Sequence, residues 1–264
     1  MPDRRKHRGA HPEDRRLFAE AHHQTLRTAV QEYSWLLTRG YAQDSALKLV
    51  GDRHGLTARQ RLAVMRSSCS DESLARRQRS EVLLEGISSS ASEDHAEAST
   101  SASEPLGSDS AETTGFTLAL DGYNVLITVE SALSGGLILI GRDGCYRDLA
   151  SVHGTYRKVE ETRPAIGIIV DSLLDADIQH LTWYLDRPVS NSGRLRALIL
   201  DVLQERSAEW EVELVDSPDR ALAAFDGLVA SSDSWVLDQC GAWVNLAARV
   251  INANAPDAWK VDLR

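Results

Sequence analysis

Short apolar segments that end at acidic residues alternate with helical patterns along residues 114–264. The apolar segments have the length of β-strands, and the residues between them repeat with helical spacing. Strands and helices that alternate in this way form a mostly parallel sheet with helices on both faces, so we predict an α/β fold. The strands and their acids are Phe116–Leu120 before Asp121, Leu181–Leu185 before Asp186, Trp210–Val215 before Asp216, and Leu228–Ala230 shortly before Asp233.

Two other patterns lie between the first and the second of these strands. Residues 137–149 form two apolar segments around an Asp-Gly pair at 143–144, which tolerates the positive φ of a tight turn, so we predict a β-hairpin. Apolar residues in 166–174 repeat at i, i+3, i+4, i+7 and i+8, which favours a helix. If this segment is a strand instead, Asp171 replaces Asp186 among the acids at strand ends.

The composition divides the chain into a basic part, an acidic part and a segment between them. Residues 1–86 carry 16 Lys and Arg against 11 Asp and Glu, whereas residues 114–264 carry 13 against 22. Residues 87–113 are mainly Ser, Ala, Glu and Asp, which cannot offset the entropy cost of ordering the chain. We therefore predict a basic all-helical domain, a disordered linker and an α/β domain with these boundaries.

The N-terminal part contains a helix start that the sequence defines well. Thr57 and Gln60 form a capping box, in which each side chain satisfies a backbone donor of the other residue. A helix, a turn over 54–57 and a capped helix with Arg59 and Arg66 have the outline of a helix-turn-helix. Small helical domains also produce this outline by chance, so nucleic-acid binding and a packing or protein-interaction role both stay open.

The composition argues against membrane and secreted classes of protein. No run of about 18 apolar residues is present, so we expect no membrane span. Residues 1–8 are charged and no apolar stretch of a secretory signal follows them. Cys69, Cys145 and Cys240 form no Cys-x-x-Cys pair, and we expect each to be a small buried residue. The resulting prediction is a cytoplasmic protein.

The acids at the strand ends predict a metal site. The carboxyl ends of the strands lie along one edge of an open parallel sheet, where such folds bind ligands. Carboxylates brought together there repel one another, and Mg²⁺ or Mn²⁺ relieves the repulsion by binding oxygen ligands. The alternative is that each Asp is only a turn former or helix N-cap. The candidate ligands at the strand ends are Asp121, Asp186, Asp216, Asp219 and Asp233.

The segment Leu-Ala-Leu-Asp121-Gly-Tyr-Asn124 resembles the first strand of NYN and other PIN-like nucleases, and the strands that end at Asp186 and Asp233 resemble their later strands. The resemblance implies a three-layer PIN-like domain in which Asp121, Asp186 and Asp233 are catalytic acids that bind Mg²⁺ or Mn²⁺. Because such enzymes often carry an acid on a helix, it also suggests Glu130 as a ligand. The whole chain further resembles a prokaryotic family that pairs this domain with a helical one. This second resemblance gives no indication of an activity.

Other polar residues near the strand ends are candidate contacts to a substrate. Asn124 and Ser232 adjoin two of the acids and can position ligands or substrate. Residues 190–192 precede a predicted helix whose N-terminus suits a phosphate, although the same residues can serve only as an N-cap and turn. The substrate-binding candidates are Asn124, Ser190, Asn191, Ser192, Ser232 and Arg147.

These observations predict a metal-dependent phosphodiesterase that acts on RNA, with DNA as the other possible substrate. The rival hypothesis is a PIN-like domain that has lost catalysis and binds RNA or assembles with proteins. The acidic balance of residues 114–264 favours this rival, because a nuclease surface that contacts phosphates is usually basic. A phosphatase-like or nucleotide-hydrolysing enzyme fits less well, because no Asp-x-Asp follows the first strand and no Walker glycine loop is present.

Overall fold

The computed structural model describes residues 6–84, 116–150, 156–176 and 178–264. Within these ranges the fold is α/β, as predicted: a helical region is followed by a part built on a parallel five-stranded sheet. The predicted linker, residues 87–113, lies outside the described residues. No helix in the described ranges is long and apolar enough to span a membrane.

Helices account for the regular structure of the N-terminal region. They are α1 (Asp14–Leu17), α2 (Glu20–Thr38), α3 (Gln43–Arg53), α4 (Ala58–Ser67) and α5 (Asp71–Ser80). The predicted capping box at the start of α4 is confirmed. The Gln60 backbone N–H donates to Thr57 Oγ1 at 3.3 Å, and the Thr57 backbone N–H donates to Gln60 Oε1 at 3.1 Å.

Strands and helices alternate after residue 116. They are β1 (Phe116–Asp121), α6 (Gly122–Leu133), β2 (Ile138–Ile140), β3 (Tyr146–Asp148), α7 (Thr162–Leu174), β4 (Ile178–Asp186), α8 (Ser192–Glu205), β5 (Glu211–Val215), α9 (Pro218–Ala223), β6 (Leu228–Ala230), α10 (Ser234–Leu237), β7 (Ala242–Val244), α11 (Leu246–Asn254) and β8 (Lys260–Asp262). The predicted helix over 166–174 is confirmed as part of α7. Asp171 is therefore not at a strand end; it pairs with Arg206.

The main sheet has the strand order β5-β4-β1-β6-β7, and all its strands are parallel. In the register of β1, Asp121 lies beside Tyr184 of β4, and Leu120 lies beside Ala230 of β6. The carboxyl ends of β1, β4 and β6 therefore share one edge of the sheet. This register brings the residues that follow these three strands to neighbouring positions.

A small second sheet has the order β3-β2-β8. The predicted hairpin is confirmed, because β2 and β3 are antiparallel and Gly144 in the turn has a φ of 78°. Neither the separation of this hairpin from the main sheet nor β8 is apparent from the sequence pattern. The strand β8 comes from residues 260–262 and pairs parallel to β2.

The helical region and the small sheet bury apolar side chains in one cluster. Leucine, valine and alanine residues of α2, α3 and α4 contact the β2, β3 and β8 region without an intervening polar layer. Members of the cluster include Leu26, Val30, Val50, Val64, Leu137, Leu139, Val261 and Leu263. The two compositional parts are thus packed together, while the domain boundaries at 86 and 113 stay a prediction.

A buried ionic network also joins α5 to the α/β part. Arg77 is 1% exposed, and it donates to Asp143 at 2.6 Å and to Asp238 at 2.8 Å. Burial alone raises the pKa of Asp143, but the charges and hydrogen bonds of Arg147 and Arg77 hold this pKa well below its ordinary value. Trp243 of β7 donates its indole N–H to the Arg77 carbonyl oxygen at 2.9 Å. The network fixes α5 against both the hairpin turn and α10.

Candidate functional site

A cleft of about 480 Å³ opens at the carboxyl ends of β1, β4 and β6. Its opposite wall is formed by the N-terminal region, through side chains of α2, α3 and α4. The cleft therefore lies between the two compositional parts of the chain. Its acidic lining residues are Asp121, Asp148, Asp186, Asp219 and Asp233, and its cationic ones are Arg66 and Arg147.

Asp121 occupies the centre of this sheet edge. It ends β1 and caps α6, since its Oδ1 accepts a hydrogen bond from the Asn124 backbone N–H at 3.3 Å. Its Oδ2 accepts a hydrogen bond from the Ser231 hydroxyl at 2.7 Å. Burial raises the pKa of Asp121 to about 7, and the negative charge of Asp233 adds to the rise. This carboxyl group therefore titrates near neutral pH.

Of the four other acids that line the cleft, three lie at the same sheet edge as Asp121. Asp233 caps α10, where its Oδ1 accepts hydrogen bonds from the Trp235 and Val236 backbone N–H groups at 2.8 and 3.1 Å. Partial loss of hydration raises the pKa of Asp219, and so does the charge of Asp233. Burial and the charge of Asp219 raise the pKa of Asp186. Asp121, Asp186, Asp219 and Asp233, which were expected to converge, all line this one cleft.

Asn124 and Ser232 also lie in the cleft, and they are bonded to each other. Asn124 Oδ1 accepts hydrogen bonds from the Ser232 backbone N–H at 2.9 Å and from the Ser232 hydroxyl at 2.8 Å. These bonds tie the first turn of α6 to the segment that follows β6. Because Asn124 lies three residues after Asp121 and Ser232 directly precedes Asp233, these bonds help to fix the two acids relative to each other.

Arg147 contacts the protein rather than offering free donors to a ligand. Its Nη1 and Nη2 donate to Asp143 at 2.8 and 2.7 Å, and its Nε donates to the Ser232 carbonyl oxygen at 2.7 Å. The guanidinium is thus already bonded within the protein, which argues against the predicted role of Arg147 in substrate binding. Arg66 of α4 is the more available cation, because among the described residues only its Nη1 is engaged, by the Asp148 and Ala150 carbonyl oxygens and by an ion pair with the Asp148 carboxylate at 3.7 Å.

Two predicted metal ligands and one predicted substrate segment lie outside the cleft. Asp216 directly follows β5, is exposed and pairs with Arg187 at 3.5 Å. Glu130 is fully buried and is bonded to Arg8, to Tyr156 and to Thr162. Ser190 and Asn191 precede α8, which begins at Ser192, and of these three residues Asn191 lines a separate groove. The predicted roles of five residues in this site are therefore wrong, because their side chains do not line the acidic cleft: Asp216, Glu130, Ser190, Asn191 and Ser192.

Residues 110–249 match the family model described as "Domain of unknown function (DUF5616)", which is more than half of the chain. The chain belongs to this family. Residues 25–79 match a second model, "Protein of unknown function (DUF434)". Asp121, Asp186, Asp219 and Asp233 fall within the DUF5616 match and Arg66 falls within the DUF434 match. The cleft is therefore formed between the two matched regions.

An uncharacterized protein of Methanocaldococcus jannaschii is similar to the chain. The two are 29% identical over 213 residues, which is 81% of this chain and 89% of the relative. An alignment of that extent includes parts of both the DUF434 and the DUF5616 regions. No solved structure matches the chain at a significant level.

Two cleft residues of the DUF5616 domain were not singled out from the sequence. Tyr123 belongs to the Asp-Gly-Tyr-Asn motif, is 7% exposed, and its hydroxyl has no hydrogen-bond partner among the described residues. Burial raises its pKa, with a further contribution from the charge of Asp186. Asp148 ends β3 and accepts hydrogen bonds from the Thr128 hydroxyl and the Ala150 N–H. The motif itself signals Tyr123, whereas only the packing of the small sheet brings Asp148 to the cleft.

The acids of the DUF5616 domain provide oxygen ligands without a preformed metal geometry. Among the described residues, no three His, Cys, Asp or Glu side chains lie in an arrangement that could hold a metal ion as they stand. Neighbouring side chains donate no hydrogen bond to Asp186 or Asp219 within the described ranges, so these two carboxylates are not fixed by such bonds. Hard oxygen donors of this kind suit Mg²⁺ or Mn²⁺, and a bound ion requires the acids to approach one another.

Proposed function

We propose that the protein is a cytoplasmic, Mg²⁺- or Mn²⁺-dependent phosphodiesterase of the PIN/NYN type that cleaves RNA. The observation that carries the proposal is the cleft, to which separate segments of the chain contribute four acids whose charges affect one another. Carboxylates that raise each other's pKa at a sheet edge are typical of functional sites. The three free cysteines, all buried, are in keeping with a reducing compartment.

Asp121, Asp186, Asp219 and Asp233 are the residues that would hold the ion. When bound, it would neutralise charge on the phosphodiester and activate water. The fixed acids, Asp121 and Asp233, already accept hydrogen bonds, so they provide the rigid side of the site. Asp186 and Asp219 provide the adjustable side, since no neighbouring side chain within the described ranges is bonded to them.

Two other groups of the cleft have roles toward the substrate in this proposal. Arg66 can donate its remaining N–H groups to a phosphate oxygen, because only its Nη1 is engaged by carbonyl oxygens. The Tyr123 hydroxyl is buried beside the acids, has no partner in the part of the chain that the structure describes, and can donate to the same phosphate. Ser232 and Asn124 keep the acids in position through their mutual bonds. The helical region thus completes a site that the DUF5616 domain alone leaves open on one side.

The test measures metal binding and cleavage in the full chain. A ligand present at about 100 times its Kd stabilises the folded state by roughly 2.7 kcal/mol, so Mn²⁺ should raise the melting temperature by several degrees. Asp186→Asn should remove most of this rise and abolish cleavage of a single-stranded RNA pool. Asp216→Asn is the matched control, because Asp216 also directly follows a strand but lies outside the cleft; it should behave as the native chain does.

A binding module without catalysis is the second candidate. The observation that favours it is that no three ligand-type side chains of the described residues are arranged to hold an ion. RNA binding that persists in EDTA, together with no cleavage and no melting shift in Mn²⁺, would select this candidate. If Asp216→Asn removes the Mn²⁺-dependent rise in melting temperature to the same extent as Asp186→Asn, the assignment of the cleft as the metal site is contradicted.

A further inference from the structure

A second groove, of about 550 Å³, lies beside the acidic cleft and carries the opposite charge. It runs between the segment that precedes α7 and the first turns of α8. Three cations line it, Arg157, Lys158 and Arg194, against a single acid, Asp201. The groove is thus basic within a part of the chain whose net charge is negative.

The cations of the groove are free compared with others in the molecule. Among the described residues, no acidic side chain pairs with Arg157 or Lys158, and Arg194 contacts only the Asn191 amide oxygen at 3.5 Å. Other arginines at the surface do pair with acids; Arg206, for example, binds Asp171. Glu160 lies close in sequence to Lys158 but faces His7 at 3.8 Å. The three cations are therefore available to an anion.

The groove and the cleft are neighbours, separated by two packed tyrosine rings. Tyr123 lines the cleft and Tyr156 lines the groove, and the centroids of the two rings are 5.2 Å apart. Val189 lines the cleft, and Asn191, two residues further on, lines the groove. The groove therefore lies on the other side of this ring pair from the cleft, close to where a strand that leaves the cleft would run.

We propose that this groove binds the phosphodiester backbone of the nucleic-acid strand whose scissile bond lies in the cleft, an inference that rests on the proposed function. The rim cations suit the phosphates of a single strand, and the half-buried side chain of Leu198 adds an apolar contact for a ribose. The acidic cleft repels a polyanion in the absence of a metal ion, so a basic surface next to it has to provide the binding. The groove supplies that surface within the α/β part itself.

The experiment compares two charge-matched triple variants of the full chain. The groove variant is Arg157→Gln, Lys158→Gln and Arg194→Gln. The control is Arg16→Gln, Lys48→Gln and Arg163→Gln, which removes exposed cations outside both the groove and the cleft. Binding of fluorescein-labelled oligouridylate and oligothymidylate is measured by anisotropy in EDTA, so that metal binding and cleavage do not enter.

The groove variant should bind at least about tenfold more weakly at low salt, and the salt slope should fall by about 2, which is three contacts at roughly 0.7 each. Equal losses with both strands assign the contact to the shared backbone, and a loss with oligouridylate alone assigns it to RNA. An unchanged Kd and slope, or the same loss in the control variant, would overturn the groove. Cleavage by the native chain in Mn²⁺ is scored separately, so the groove and the proposed activity can fail independently.

Discussion

At the scale of single residues, Asp121 has an environment that opposes its own charge. It is buried, it caps a helix, and it faces two further acids across the cleft. The Ser231 hydroxyl and the Asn124 N–H compensate only part of the cost of ionising it. This conflict between charge and burial is expected where a group serves binding rather than folding.

The first prediction concerns the pH dependence of stability without metal. Because folding raises the pKa of Asp121 from 3.8 to about 7, its contribution to the free energy of unfolding falls as pH rises through this window and is constant above it. Asp121→Asn keeps a cap but carries no charge. At about pH 8 in EDTA it should be more stable than the native chain by on the order of 2 to 4 kcal/mol, and the gain should vanish towards about pH 4.

Urea unfolding across this pH range measures the effect. Asp216→Asn, an exposed acid outside the cleft, is the control, and its profile should run parallel to that of the native chain. A stability difference between Asp121→Asn and the native chain that does not change with pH would show that the carboxyl group is not held against its charge.

At the scale of elements, the position of a residue on its helix or strand decides whether its distance from the cleft could be predicted from the sequence. Glu130 follows Asp121 by nine residues, which is 900° of helix at about 100° per residue and therefore the opposite face of α6. Helical geometry alone could have excluded it. Asp216 directly follows β5, which is two strands from β1 and thus about 10 Å away, a separation that follows only from the strand order.

The acids that do converge could be predicted because their strands are neighbours in the sheet. Asp121, Asp186 and Asp233 follow β1, β4 and β6, which are neighbours in the sheet. Asp219 reaches the same edge because α9 packs on β1 and β4. By contrast, the burial of Arg147 depends on its partner Asp143, and the opposite wall of the cleft depends on how the N-terminal helices pack. Neither is encoded in local periodicity.

The second prediction concerns the helix α5 and its buried cation. Arg77→Met removes the guanidinium from Asp143 and Asp238 and leaves a buried acid with one cationic partner fewer. Breaking a buried pair in this way costs about 3 to 5 kcal/mol of unfolding free energy. Arg79→Met is the control on the same helix, because Arg79 is exposed, and it should change stability by less than about 0.5 kcal/mol. Equal effects of the two substitutions in a urea titration would contradict the role of the network.

At the scale of the whole molecule, the two compositional parts behave as one folded body in spite of their opposite charges. They share an apolar cluster, the Arg77 network and both walls of the cleft. The basic charge of the helical region is thus placed next to the acids. In the proposed function, this arrangement gives a polyanionic substrate a basic surface beside the acidic domain.

The third prediction follows from this shared packing. Limited proteolysis should cut first between residues 87 and 113, the segment predicted to be a linker. The two fragments should nevertheless co-elute in size-exclusion chromatography, because separation exposes the cluster around Val30, Leu139 and Val261. They should separate only in denaturant. Two fragments that elute apart under native conditions, each with the circular dichroism of a folded protein, would contradict a common core.

The pairing of Arg27 with β8 has a consequence for biosynthesis. Arg27 Nε donates to the Asp262 carbonyl oxygen at 2.9 Å, across 235 positions of the chain. A ribosome that adds about 5 to 20 residues per second needs roughly 10 to 50 s to travel that distance. During this interval α2 can already pack against α3 and α4, but β8, whose Val261 belongs to the same apolar cluster, does not yet exist. The part of the cluster that β8 covers therefore stays exposed until residues 260–262 have been synthesised.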